Sequence, residues 1–303
     1  MSGSAWNRRD FFRRTAMAGA VAIGGPVLLS ACTQTNTGGS GGGSLLESAR
    51  QSGTIRVGIA NEAPYGFTDE TGKVTGESVE VARAVLQQIG INDIQATTVD
   101  FGSLIPGLNA NQFDMVTAGM FITPERCQSA AFSVPDYTAP TAFLVPAGNP
   151  QNIATFDDIK NKNLRLAVLS GAVEQGYAQS AGVPDGQIQV FDAQNTLLQA
   201  VTADRVDAAA LTNISLNDLV AKNPGANVEV TKGFFPVIDG QEQVSAGAFV
   251  FRTGSDDILN EFNNALTQLH QSGRWLEIVQ PFGFSEDNLP GPDVTTQSLC
   301  TAS

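Results

Sequence analysis

Thr54-Ile-Arg-Val-Gly-Ile-Ala60 is a mostly apolar run that empties into Asn61-Glu62-Ala63-Pro64. It reads as a buried strand leaving into a loop. Glu77 to Ile89 has helical spacing, with Val81, Val85 and Ile89 on one face and Ala82 and Leu86 beside them. A second strand is expected near Ile94 to Val99, a short helix over Gly102 to Asn109, and a third strand at Phe113-Asp-Met-Val-Thr-Ala118. Strand, helix, strand, helix, strand predicts an α/β layer with parallel strands.

Working outward, Pro124 to Ala131 reads as a helical turn, with Pro at an acceptable first-turn position. Thr141 to Val145 is extended and apolar, and Pro146-Ala-Gly148-Asn-Pro150 ends it. A second series then begins. Helices are expected at Phe156 to Ile159, Gly171 to Ser180, Thr196 to Ala203 and Ile214 to Ala221, and strands at Leu164 to Val168, Ile188 to Val190 and Val206 to Leu211. Val244 to Phe251 is extended again, and Asp256 to Gln271 and Arg274 to Gln280 close the chain as amphipathic helices. The fold class expected is therefore α/β with two lobes joined by two crossover strands. Residues 45–146 and 244–303 would form the first lobe, and residues 147–243 the second. A cleft between two such lobes is the expected place for a small ligand.

The N-terminus has another composition. Arg8, Arg9, Arg13 and Arg14, with Asp10, precede an apolar run from Ala16 to Ala31 that Gly19, Gly24, Gly25 and Pro26 interrupt. That layout is an export signal rather than a span, which needs about 20 apolar residues. Asn7-Arg8-Arg9-Asp10-Phe11-Phe12-Arg13 resembles the twin-arginine motif, and Leu29-Ser30-Ala31-Cys32 a bacterial lipobox. Residues 1–31 are expected to be removed, leaving Cys32 lipidated on a Gly-rich tether, residues 32–44, outside the cell membrane. The signal carries a net charge of +3, so the remainder of a chain at −13 stands at −16. Such a balance argues against nucleic acid and against adsorption to anionic lipid. Cys127 and Cys300 are then an even pair in an exported protein, and a disulfide between them is expected. With one histidine in the chain, no metal, cofactor or His-dependent triad is expected.

Four loops expected to converge on the cleft carry chemistry-bearing residues: Glu62, Pro64 and Tyr65; Asp100 and Phe101; Gly119 to Arg126 with Phe121; and Leu169 to Glu174. Aromatics at the ends of successive strands suit a ligand box better than a helix stripe. Thr123-Pro-Glu-Arg126 followed by Phe132-Ser133-Val-Pro135 resembles the pattern of amino-acid-type solute-binding proteins of family 3. The resemblance implies that Arg126 binds a ligand carboxylate, for which a guanidinium fork is suited. Members that bind α-amino acids place an Asp where Thr212 stands, to hold the ligand ammonium. Gly171-Ala172-Val173 also departs from the anion loop of those members.

Arg126, three aromatic faces and the acids Glu62 and Glu174, without the ammonium-specific Asp, suit a zwitterion whose positive charge is spread over a flat group. Ectoine, a cyclic amidinium carboxylate, fits. Ala60-Asn-Glu62-Ala-Pro64-Tyr65, Ile105-Pro-Gly-Leu108, Pro124-Glu-Arg126-Cys127, Ser215-Leu-Asn-Asp218-Leu-Val220 and Phe282-Gly-Phe284-Ser285 resemble ectoine/hydroxyectoine-binding proteins of ABC importers. That resemblance implies Glu62 and Glu174 on the amidinium side, Tyr65, Phe101 and Phe121 as the box, and Arg126 as the clamp. It also implies ABC permease and ATPase partners and a monomer. Tyr65 and Phe101 exchange the aromatic types expected there, which moves the hydroxyl of the box and leaves ectoine against hydroxyectoine open. Competing readings are a receptor for a polar or basic amino acid, an enzyme on the same two-lobed fold, and a sensor domain. Thr212 counts against the first, and the second needs an acid or base beyond the clamp.

Overall fold

The computed structural model describes residues 44–238 and 240–301. The expected signal, lipobox and most of the tether, with Cys32, lie outside them. The first helix, α1 (Leu45–Ser52), starts where the Ser44 side chain accepts from the Glu47 N–H, an N-cap that meets one orphan donor of the first turn. Then follow β1 (Thr54–Ile59), α2 (Glu77–Gln88), β2 (Asp93–Thr98), α3 (Leu104–Asn109), β3 (Met115–Phe121) and α4 (Pro124–Cys127). The second series is β4 (Thr141–Pro146), α5 (Phe156–Asn161), β5 (Leu166–Leu169), α6 (Val173–Ser180), β6 (Ile188–Phe191), α7 (Gln194–Thr202), β7 (Ala208–Thr212), α8 (Asn213–Lys222) and β8 (Val228–Val230). The chain closes with β9 (Ala246–Phe251), α9 (Asp256–Gln271), α10 (Arg274–Val279) and α11 (Thr296–Thr301).

Two sheets result. The first has six strands in the order β2, β1, β3, β9 and Ala131–Phe132, with Tyr137–Thr138 also on β9. Strand β1 is parallel to β2 from Thr54 against Asp93 to Ile59 against Thr98, and parallel to β3, while β9 runs antiparallel to β3. The second sheet is β6, β5, β7, β4, β8. In it β5, β6 and β7 are parallel, and β4 lies antiparallel to β7 and β8. Each lobe is thus a parallel layer with antiparallel strands at one side.

One boundary moves. Thr141–Pro146 was expected in the first lobe, but β4 pairs with β7 and β8 in the second sheet, Thr141 facing Thr212 and Leu144 facing Val230. The chain therefore leaves the first sheet after Thr138 and enters the second at Thr141. An apolar run buried on both faces states that it is a strand, not which sheet it joins.

Helices cover the sheets because their apolar stripes have nowhere else to go. In α9, Ile258, Phe262, Ala265, Leu266 and Leu269 are buried at helical spacing, Asp256 and Asp257 open the first turn, and His270 sits in the last. A further apolar cluster joins Phe101, Val116 and Met120 of the first lobe to Ala142, Leu169 and Leu197 of the second. The lobes meet over packed side chains as well as across the cleft.

Cys127 of α4 and Cys300 of α11 are joined by a disulfide, with Cα atoms 5.7 Å apart and a sequence separation of 173. It pins the last helix beside the turn that carries Arg126. Replacing both cysteines by serine is expected to cost about 2–4 kcal/mol of stability, with a chain-entropy ceiling near 5. Denaturant unfolding of the folded body checks this; an unchanged midpoint contradicts it.

Candidate functional site

The loops at the carboxyl ends of the parallel strands converge between the lobes, where open α/β sheets place ligands. After β1 comes the loop with Glu62 and Tyr65, after β2 the turn with Phe101, and β3 ends at Phe121. From the second lobe, β5 leads to Gly171 and Glu174, β6 to Gln194, and β7 to Thr212 and Ser215. Arg126 is held by its own turn. Thr123 caps α4 by accepting the Arg126 N–H, and Pro124 starts the helix without needing a donor.

Two glycines are required here. Gly119 has φ 62, and a Cβ on it would stand 2.5 Å from the Tyr65 ring and 2.7 Å from the Tyr137 hydroxyl. Gly171 has φ 75, and its Cβ would meet the Gly102 Cα at 2.6 Å. The first lets two tyrosines stack against β3; the second lets the lobes touch backbone to backbone.

Glu62, Tyr65, Phe101, Phe121, Arg126 and Glu174 line one small cavity of about 20 Å³, roughly the room of one water, and Thr212 is also in its wall. Two wider grooves, about 690 and 640 Å³, open to solvent on either side, and Phe101 borders both. They are larger, but the buried charges converge only in the small cavity.

Direct hydrogen bonds span the cleft. The Tyr65 and Thr212 hydroxyls lie 2.8 Å apart. The Ser215 hydroxyl donates to Glu62 Oε1 at 2.9 Å, and the Gln194 amide to the Ala63 carbonyl at 2.8 Å. Arg126 Nη2 donates to the Gly171 carbonyl at 2.7 Å, while its Nη1 donates to the Phe121 carbonyl at 2.6 Å. The guanidinium carbon lies 5.5 Å from the centre of the Phe101 ring. Arg126 is thus held by two backbone oxygens and an aromatic face, and those two bonds use two of its five N–H groups.

The electrostatics are uneven. Burial pushes the Glu62 carboxyl up to about 8, with the Ser215 hydroxyl pulling it down and Glu174 adding to the rise. Burial also raises Glu174, against its own backbone N–H, the Thr141 hydroxyl at 3.3 Å and Arg126. Burial draws Arg126 below its usual value, and Glu174 offsets part of that. Two acids that cost free energy to ionise therefore face one guanidinium that neither touches as an ion pair among the described residues. A ligand bringing positive charge to the acids and negative charge to Arg126 relieves both.

Three contributors were not singled out as site residues from the sequence, although Ser215 lies in one of the segments that carry the resemblance. Tyr137 stacks behind Tyr65, ring centroids 5.4 Å apart and planes at 19°, and its hydroxyl donates to the Gly119 carbonyl. It follows the Phe132-Ser133-Val-Pro135 motif by two residues, which was its one available clue. Gln194 and Ser215 stand in the first turns of α7 and α8, positions that follow strands β6 and β7. Thr212 was singled out only as a missing Asp; its hydroxyl accepts the Ser215 N–H and meets Tyr65. A separate buried acid pair, Glu77 and Asp136, lies outside the cavity wall, with Trp275 Nε1 donating to Asp136 at 2.8 Å.

Two α/β lobes closing over a cavity built from both define a type II periplasmic binding protein. The chain belongs to the bacterial extracellular solute-binding proteins, family 3, whose pattern matches residues 55–285. It is a periplasmic solute-binding protein of an amino-acid-type ABC transporter. It is 38% identical over 264 residues to the probable amino-acid ABC transporter periplasmic-binding protein y4tE of Sinorhizobium fredii, covering 86% of this chain and 87% of that one. It is 28% identical over 247 residues to the arginine-binding extracellular protein ArtP of Bacillus subtilis, covering 81% and 88%. Among solved structures it is similar to EhuB in complex with hydroxyectoine, with TM-score 0.77 and 33% identity over 86% of this chain and 98% of that one. An ancestral arginine-binding protein bound to arginine gives TM-score 0.67 and 30% identity over 76% and 98%.

Proposed function

We propose that the protein captures ectoine or hydroxyectoine between its lobes and delivers it to an ABC permease. The observation that carries this is the cavity's charge pattern. Two buried acids, Glu62 and Glu174, lie with three aromatic faces, Arg126 stands opposite as the carboxylate partner, and the neutral Thr212 stands where an α-ammonium would want an acid. A delocalised cation suits aromatic faces at about 0.5–2 kcal/mol per contact. The likeness to EhuB, solved with hydroxyectoine, supports it. Arg126 and the box belong to the first lobe and Glu174 to the second, so the lobes must part to admit a ligand into a cavity of about 20 Å³ and close again around it.

A second reading rests on the same two acids: they also suit the guanidinium of arginine, and ArtP is an arginine-binding protein. A thermal-shift panel with ectoine, hydroxyectoine, arginine and neutral amino acids separates the two. The proposal fails if only amino acids raise the melting temperature.

Single changes of Tyr65, Phe101 or Phe121 to Ala are each expected to weaken ectoine binding by about 1–2 kcal/mol, because each removes one face of a shared cage. Titration of each variant checks this; three unchanged affinities would remove the box from the site. We further propose export by the twin-arginine route and anchoring through Cys32, on the strength of Leu29-Ser30-Ala31-Cys32. Cys32→Ser is expected to move the protein from the membrane fraction to the soluble one; retention in the membrane fraction would refute the anchor.

A further inference from the structure

Gln194 and Ser215 reach across the cleft from the second lobe to the loop that carries Glu62, and all three side chains are buried. Donor and acceptor bookkeeping fixes their roles. Gln194 Nε2 lies 2.8 Å from the Ala63 carbonyl, 3.2 Å from the Ser215 carbonyl and 2.7 Å from the Ser215 hydroxyl oxygen. Both carbonyls only accept, so the amide nitrogen, not the oxygen, must face them. Its two protons go to the nearest acceptors, Ala63 O and Ser215 Oγ. The Ser215 hydroxyl then accepts from Gln194 and has one proton to give. Glu62 Oε1 at 2.9 Å takes it in preference to the Ala63 carbonyl at 3.3 Å, which Gln194 already occupies.

We propose that Gln194 and Ser215 are positioning residues, a latch from the second lobe that ties closure of the cleft to the orientation and charge of Glu62. The latch rests on the reading of Glu62 as the acid facing the ligand cation. Ser215 and Gln194 come from the two helices packed on the Glu62 loop. The other titratable groups that interact with Glu62 are Glu174 of α6, Tyr65 of its own loop, and Tyr137 behind Tyr65. Of these neighbours, the Ser215 hydroxyl is the one whose hydrogen bond favours the ionised form, the form a bound cation needs. Opening the lobes removes that bond. It also returns the carboxyl to water, where it ionises readily; in the closed cleft burial opposes ionisation, and the Ser215 hydroxyl offsets part of that cost for a ligand that brings a positive group.

The test uses Ser215→Ala and Gln194→Met in the full exported chain. ¹³C titration of the side-chain carboxyls in ligand-free protein follows Glu62, assigned with Glu62→Gln. Both variants should move its midpoint to higher pH than wild type. Ectoine affinity at pH 7 should fall about ten- to hundredfold, the range for a hydrogen bond to a charged group, and the deficit should shrink above pH 9. The two changes lie on different helices, so either one that folds by thermal melting is sufficient. Unchanged titration with unchanged affinity overturns the latch. So does an affinity loss equal at every pH with an unchanged midpoint, which is what a merely structural contact would produce. If wild type binds neither ectoine, hydroxyectoine nor arginine, the proposed function fails, and the ligand-free titration still decides the latch.

Discussion

Arg126→Ala should weaken binding of a carboxylate-bearing ligand by about 2–5 kcal/mol, a loss on the order of 30- to several-thousandfold. The size follows from what would be left behind. With the lobes closed, the ligand carboxylate would stand in a cavity where the other charged side chains lining it are the acids Glu62 and Glu174. An unpaired buried charge beside two acids is worse than a lost contact. The variant also removes the bond from Arg126 to the Gly171 carbonyl, one of the links between the lobes. Arg126→Lys separates the two contributions. It keeps the charge but cannot reach the Phe121 and Gly171 oxygens as a fork while stacking on Phe101, so an intermediate loss is expected. Calorimetric titration of the three proteins checks the order. Equal affinities would place the carboxylate elsewhere.

The second large effect concerns Glu62 and pH. Its carboxyl keeps its proton up to about 8 in the folded protein, whereas the unfolded chain releases it near the ordinary glutamate value. Between those values the folded state binds more protons, so stability falls as pH rises through that window. The full difference amounts to at most about 5 kcal/mol, complete above pH 8 and absent below about pH 4. Glu174 is shifted in the same direction and adds to the fall. Glu62→Gln should flatten the profile and leave the ligand-free protein more stable than wild type at pH 8.5, while weakening capture of a cationic ligand. Denaturant midpoints at pH 5 and 8.5 read this out. A wild type that gains stability over that range would show that Glu62 is already ionised.

Much of the first lobe was legible because buried strands and amphipathic helices announce themselves. Helix α9 runs from Asp256 to Gln271, as its apolar spacing predicted. The short strand β8 and the two-strand ribbon of Val237–Ile238 and Gln241–Glu242 had no such pattern, being only two or three residues long per strand. The sheet that Thr141–Pro146 joins was not legible, since its pairing depends on Ala209 to Thr212, far along the chain. The site divided along the same line. Charged and aromatic residues at strand ends are unusual enough to notice. Gln194 and Ser215 are ordinary polar residues in helix first turns, and their partners Ala63 and Glu62 are 131 and 153 residues away. Only the closed arrangement of the lobes brings them together.

The most direct test of the central claim is calorimetric titration of ectoine and hydroxyectoine into wild-type protein at pH 7, in two buffers of different ionisation enthalpy, with arginine in parallel. The account predicts saturable one-to-one binding of at least one of the two compatible solutes. It also predicts net proton release on binding as Glu62, whose carboxyl burial holds near 8, is forced to ionise. Heat from arginine or a neutral amino acid with none from ectoine or hydroxyectoine would contradict the ligand, and binding without proton release would contradict the role of Glu62.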